Sequence, residues 1–261
     1  MKTGLNTSFV SMNTFIKLLL VVSMLGMASC VSQEQKERDT ENVKARARAH
    51  TDLGAVYYQN KQYEIALEEF TEAARIDPTF ALAYNGLGLV RATLGQYDIA
   101  DTNFRKSIAL EPNNSESHNN YGSFLCSQGR YDESIKEFLA AVKNPLYATP
   151  AVAYSNAGIC SIRKQDYANG EAYLQKALQI NPLNSSAAYQ VAQLQFSRSK
   201  PAQAKVTLQN ALLTEPTPEM LWLAIQIERA LGSKDAEASY ALELRRKYPD
   251  SEQAKLLQSG K

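Results

Sequence analysis

From Ala47 onward, apolar and small residues return at fixed places in a frame of thirty-four residues, with polar residues between them. The first pass reads Leu53-Gly54, Tyr57, Ala66, Phe70, Ala73 and Pro78. The second has Leu87-Gly88, Ala100, Phe104, Ser107 and Pro112, and the third Tyr121-Gly122, Ser134, Phe138 and Ala141. After a two-residue expansion around Asn144-Pro145-Leu146-Tyr147 come Ala157-Gly158, Gly170, Leu174, Ala177 and Pro182. A fifth pass has Val191-Ala192, Ala204, Leu208, Ala211 and Pro216. A degenerate sixth shows Trp222, Ile225, Ala238 and Leu242 before Pro249. The apolar places fall at helical spacing in two runs per pass, so each pass predicts a pair of helices. Gly54, Gly88, Gly122, Gly158 and Ala192 on the first helices, with Ala66 and Ala100 on the second, allow close approach, and Phe70, Phe104 and Phe138 fill the space between passes. Tyr63, Tyr97, Tyr131 and Tyr167 each open a second helix, and a proline that cannot continue the helix follows it.

The frame resembles the tetratricopeptide repeat. That resemblance implies an all-α, right-handed superhelical solenoid of about six helix-turn-helix repeats, since one repeat cannot bury its apolar face alone. The expected boundaries are 47–80, 81–114, 115–150, 151–184, 185–218 and 219–250, with a C-terminal cap and tail at 251–261 in which Glu252 to Gln258 forms the capping helix.

Ahead of the repeats, Lys17 precedes an apolar run from Leu18 to Met27, about half the roughly 20 residues that a helix needs to cross a bilayer. Residues 1–29 are expected to be an export signal. The run ends in Met27-Ala28-Ser29-Cys30, which resembles a lipobox, with Met27 where leucine is commonest. Cys30 is then the lipidation site; the alternative is an ordinary signal peptide followed by a coincidental cysteine. Val31 in place of an aspartate implies sorting to the outer membrane, on its periplasmic face, and Met12 is the expected start. Gln33 to Arg48 is polar, charged and free of glycine and proline, which suits residues 30–46 as a lipidated tether that turns helical as it reaches the first repeat.

Charge and chemistry then exclude several classes. The chain has 28 basic and 27 acidic side chains, and removing residues 1–29 takes only Lys2 and Lys17, leaving 26 against 27. Such a balance argues against a nucleic-acid binder, which needs a basic face. With two histidines and three cysteines, no metal site or disulfide framework is expected. No nucleophile motif is present, and Gly86 with Gly88 is helix packing rather than a phosphate loop, since no strand precedes it. Neither an enzyme, a cofactor nor a small-molecule substrate is expected.

Cys126 and Cys160 occupy the twelfth and tenth places of first helices in adjacent repeats. Neighbouring helices run about 8 to 10 Å apart, within reach of a disulfide in an oxidising compartment. The alternative of two buried, reduced thiols stays open, because the expansion between the repeats blurs their register.

The first helices should line a groove. The candidate lining is Asn85, Leu89, Asn119, Asn120, Ser123, Asn156, Ile159, Tyr189 and Gln193. No lysine or arginine clamp for a peptide carboxylate occupies these places, whereas Asn85, Asn119, Asn120 and Asn156 offer an amide ladder to an extended peptide; equally, they are solvated helix positions. The phrase Asn119-Asn120-Tyr121-Gly122-Ser123-Phe124-Leu125-Cys126, the segment Asn144-Pro145-Leu146-Tyr147, the run Tyr240 to Pro249 and the lipobox together resemble the PilF/PilW family of type IV pilus biogenesis lipoproteins, or pilotins. That resemblance implies an outer-membrane adaptor that binds the secretin subunits of the pilus and promotes their localisation and multimer assembly. The competing reading is a repeat lipoprotein that scaffolds cell-wall hydrolases or outer-membrane barrel assembly.

Overall fold

The computed structural model describes residues 35–213 and 215–259, so the expected export signal at 1–29 and the expected lipidation site Cys30 lie outside the described residues. Among the described residues there are thirteen helices and no strand. They are α1 (35–59), α2 (Tyr63–Ile76), α3 (Ala81–Thr93), α4 (Tyr97–Leu110), α5 (Ser115–Ser127), α6 (Tyr131–Ala141) and α7 (Pro150–Arg163), followed by α8 (Tyr167–Ile180), α9 (Ser185–Ser197), α10 (Pro201–Leu212), α11 (Pro218–Ala230), α12 (Lys234–Lys247) and α13 (Glu252–Gln258). The chain forms two compact units that divide between Val90 and Arg91, within α3.

In the first unit, α1 is continuous across the 46/47 boundary, and its residues 35–46 are all exposed; Ala47 is its first buried side chain. Phe70 on α2 explains two glycines at once. A Cβ at Gly54 would lie 3.0 Å from the Phe70 ring, and one at Gly86 would lie 2.3 Å from it. Gly86, which the frame treats as an incidental partner of Gly88, is thus the floor under the aromatic residue of the preceding repeat.

In the second unit, each first helix packs on the next one, α5 on α7, α7 on α9 and α9 on α11, while α6, α8 and α10 pack on the first helices before and after them. The frame residues Phe104, Phe138, Leu174 and Leu208 are all buried. The closest approach is between α7 and α8. A Cβ at Gly158 would lie 2.6 Å from Leu174 and 2.9 Å from the Gly170 carbonyl, and one at Gly170 would lie 3.1 Å from the Gly158 carbonyl. Backbone faces backbone there, and any larger side chain would push the helices apart.

Four junctions share one local rule. A proline closes the second helix, and an asparagine, threonine or serine one or two residues later caps the helix that follows: Asn114 accepts from the Ser117 N–H, Asn184 from Ala187, Thr217 from Met220 and Ser251 from Ala254, whereas α7 follows Thr149 without such a cap. The internal turns place a left-handed residue at Lys61, Gly95, Gly129, Gln165, Ser199 and Gly232, with φ between 59° and 75°. These six positions are spaced 34, 34, 36, 34 and 33 residues apart and so mark both irregularities of the array. The expansion falls before α7. The contraction falls before α11, where Thr217 caps one residue after Pro216, and corrects the sequence reading of the sixth repeat: Ala238 and Leu242 are exposed, whereas Ala241 and Leu244 are buried with Leu221, Ile225 and Ala254. A frame read one residue out of register moves each assigned place by about 100° around the helix, enough to take it from the buried face to an exposed one.

Candidate protein-binding surface

The amide positions separate into two groups. Asn119 and Asn120 sit on α5 and Asn156 on α7, and all three are half-buried. Asn156 Nδ2 donates to Asn119 Oδ1 at 3.1 Å, so direct packing of α5 on α7 joins two rungs of the expected ladder. Ser123 and Gln193 are exposed, and the Ser123 hydroxyl donates to the Asn119 carbonyl at 3.0 Å. Ile159 and Tyr189 serve packing as well as surface. Ile159 rests on Leu174, Ala177, Ala187 and Val191, and Tyr189 rests on the cluster around Ala188 and Leu208. Burial pushes the Tyr189 hydroxyl above its ordinary pKa, and Glu219 adds to the shift.

Asn85 departs from the expected lining. It is 5% exposed, because α3 is enclosed around most of its circumference, with Ala81, Ala83, Tyr84, Gly86, Leu87, Gly88 and Val90 also buried. Its amide belongs to the interior of the protein. Leu89 beside it is half-buried. Two further places of the same register, Thr51 and Ser155, are also buried; Thr51 donates its hydroxyl to the Ala47 carbonyl at 2.9 Å.

Behind the α5/α7 surface, Cys126 and Cys160 are joined in a disulfide with their Cα atoms 5.9 Å apart, in a cluster with Phe138 and Ala157. Ser134, one helix away, lies 3.2 Å from the Cys160 sulfur and donates to the Gly122 carbonyl at 2.7 Å. The bridge and the amide pair therefore tie the same two helices together.

Sequence reasoning missed a charged network on the other side of α5. Asp101 on α4 accepts from the Tyr121 hydroxyl at 2.9 Å, from Arg130 at 2.6 Å and from Arg105 at 2.6 Å. Arg130 also chelates Glu133, at 2.8 and 2.6 Å. Burial opposes ionisation of Asp101, but the bonds from Arg105, Arg130 and Tyr121 outweigh it and hold the carboxyl below its usual range. Burial, helped by Asp101, pushes the Tyr121 hydroxyl up to about 12. Every charge in this network has a partner, so it fixes the α4–α5–α6 register and offers no free group for chemistry. Its one local sequence signal was the i,i+4 pair of Asp101 and Arg105; Arg130 is a turn residue 29 positions further on.

Among the described residues no group of three metal-ligating side chains comes together, and no helix is long and apolar enough to cross a membrane.

Comparison with known proteins agrees with this architecture. Models described as tetratricopeptide or TPR repeats match residues 54–95, 81–114, 103–136, 151–182 and 189–252. The type IV pilus assembly protein PilF of Pseudomonas aeruginosa is 31% identical over 243 residues, which cover 89% of this chain and 94% of that protein. A solved structure of Pseudomonas aeruginosa PilF superimposes with a TM-score of 0.76 at 29% identity, covering 84% of this chain and all of that one. The crystal structure of PilW, described as a widely conserved type IV pilus biogenesis factor, gives 0.71 at 28% identity, over 81% and 98% of the two chains.

Proposed function

Since the chain belongs to the PilF family of type IV pilus assembly proteins, with a role in type IV pilus biogenesis, we propose that it acts there as a non-catalytic adaptor that binds the pilus secretin subunits. In this reading Cys30 carries the lipid that holds it on the periplasmic face of the outer membrane, and the repeats present the secretin-binding surface. The observation that carries the proposal is the extent of the match: the similarity runs through nearly the whole chain and nearly the whole relative, rather than through one promiscuous repeat. An adaptor also accounts for what the side chains do, because the polar clusters described above are satisfied internally and serve packing.

Anchoring is simple to rationalise. An acyl chain contributes roughly 0.8 kcal/mol per buried CH₂, so several chains on Cys30 would hold the protein at the membrane without any apolar patch on the repeats.

The test is a deletion strain complemented with wild type or Cys30→Ser. Wild type should restore surface pili and a heat-stable secretin multimer in the outer membrane. The serine variant should leave the repeats soluble or unprocessed and the multimer reduced. Cross-linking in solubilised envelope should recover secretin subunits with the wild type. Recovery of cell-wall hydrolases or barrel-assembly components in their place, with normal secretin multimers in the deletion strain, would overturn the assignment.

A further inference from the structure

The two-residue expansion between the third and fourth repeats has a physical product. Residues 142–149 fold back on the end of the preceding repeat, with the Tyr147 N–H donating to the Asn144 carbonyl at 3.1 Å and the Leu146 N–H to Asn144 Oδ1 at 3.0 Å. This turn holds Leu146 88% exposed while Tyr147 is half-buried, and burial raises the Tyr147 hydroxyl above its ordinary pKa. Two clefts open on either side of Asn113 and Asn144. One, of about 500 Å³, is walled by Leu146, Tyr147 and Ser115, whose hydroxyl is buried without a hydrogen-bond partner. The other, of about 470 Å³, is walled by Lys143, His118 and Pro145.

The chemistry of the two clefts differs. In the second, the His118 ring already faces Glu137 and the Pro112 carbonyl, which leaves the Lys143 ammonium and the side-chain amides of Asn113 and Asn144 as unoccupied donors. No acid lines it. In the first, the only carboxylate in the wall, Glu111, accepts from Asn114 Nδ2 at 2.8 Å, and Leu146 with Tyr147 supplies apolar surface. An oxyanion satisfies three donors of which one is cationic, and the oxyanion that a protein side chain supplies is a carboxylate. A group that covers an exposed leucine beside a half-buried tyrosine is an aliphatic or aromatic side chain.

We propose that this double cleft is a docking site for an extended protein segment that presents an acidic side chain next to an apolar one. The acid enters the Lys143 cleft and the apolar residue covers Leu146 and Tyr147. The site is formed by the end of the second repeat, the third repeat and its expanded turn. It does not depend on which protein supplies the segment, and so stands apart from the secretin assignment.

The probe is the peptide acetyl-Glu-Leu-Leu-amide together with its glutamine counterpart, titrated into the ¹⁵N-labelled intact chain. The side-chain amide signals of Asn113 and Asn144 should shift and saturate with the glutamate peptide. The glutamine peptide should need about three to five times the concentration, the effect of one ion pair at a solvent edge. Lys143→Gln should bring the two peptides to equal affinity, and Leu146→Ser should weaken both alike; both positions are exposed or peripheral, so folding is not at stake. Lys200→Gln, at the turn before α10, serves as control and should change neither. Equal affinities in the wild type, a preference for glutamate that survives Lys143→Gln, shifts that map to other helices, or no saturation up to about 10 mM peptide would each overturn the proposal.

Discussion

Lys205 on α10 reaches across to Glu228 on α11, its Nζ lying 2.9 Å from one carboxylate oxygen and 3.0 Å from the other, and the Glu228 side chain is only 4% exposed. This pair joins the fifth repeat to the sixth through an otherwise apolar cluster that includes Leu208, Ala224 and Ile227. Charges so placed are costly to separate, because the survivor stays in a medium that cannot solvate it.

Lys205→Met should therefore cost about 3 kcal/mol or more of stability, whereas Lys205→Met combined with Glu228→Leu should fall within about 1 kcal/mol of wild type or exceed it. Urea unfolding followed by the fluorescence of Trp222, the single tryptophan, reads the affected end of the array. Equal losses in the single and double variants would show that packing, and not the orphaned carboxylate, is the cause.

His118 makes stability depend on pH. Its Nδ1 lies 2.5 Å from Glu137 and its Nε2 lies 2.9 Å from the Pro112 carbonyl, so both nitrogens face acceptors and only the imidazolium can donate to both. The bond to Glu137 raises the pKa above 6.5, with Pro112 in support, against burial and the charge of Lys143. A group with a raised folded pKa contributes its stabilisation in full below the unfolded value and loses it as pH rises through the folded one. Melting temperature should thus decline from pH 6.5 upward in the wild type, and the slope should flatten in His118→Asn. Parallel pH profiles for the two proteins would refute this.

The Cys126–Cys160 bridge closes a loop with a sequence separation of 34. The chain-entropy argument gives roughly 3 to 4 kcal/mol for such a loop. A non-reduced digest should contain the two cysteines in one linked peptide, and dithiothreitol should lower the melting temperature. Two freely alkylated thiols in freshly isolated protein would contradict it.

Three of the six left-handed turn residues are not glycine. Lys61→Gly or Ser199→Gly should raise stability by about 0.5 to 1 kcal/mol, and Gly95→Ala or Gly232→Ala should lower it by about 1 kcal/mol or more. At Gly95 and Gly232 an added Cβ meets nothing within 4 Å, so backbone conformation alone is at issue. Thermal melts of the four variants would measure it, and a loss in Lys61→Gly would point to a contact of the lysine side chain.

The repeat core was legible because its signal is redundant. Phe70, Phe104 and Phe138 stand at one spacing beside small residues, and close packing leaves few alternatives to that combination. Tyr63, Tyr97, Tyr131 and Tyr167 open their helices as read, and α13 spans Glu252–Gln258 as read. Asn85 was misread because a polar side chain at a first-helix place signals a groove only if the helix keeps a free face, and α3 does not. The sixth repeat slipped because one residue missing before α11 leaves no trace in composition but puts the frame out of register for both α11 and α12. The amide pair of Asn119 and Asn156 lay half within reach: the residue types were evident, and the bond between them needed the geometry of α5 against α7. Lys205 and Glu228 escaped because they stand 23 residues apart in different repeats, and Arg229 directly after Glu228 offers a nearer apparent partner in the sequence.

The uninterrupted course of α1 gives the protein a phase. Because residues 35–46 continue the same helix that enters the core at Ala47, each residue in that stretch fixes an azimuth as well as a distance. Removing two of them would turn whatever precedes by ~200° about the helix axis relative to Phe70 and Gly86, while removing seven would shorten the helix by ~10 Å yet restore the direction to within ~20°. Deletions in this segment should therefore act periodically in their length, as a screw thread does and a slack cord does not.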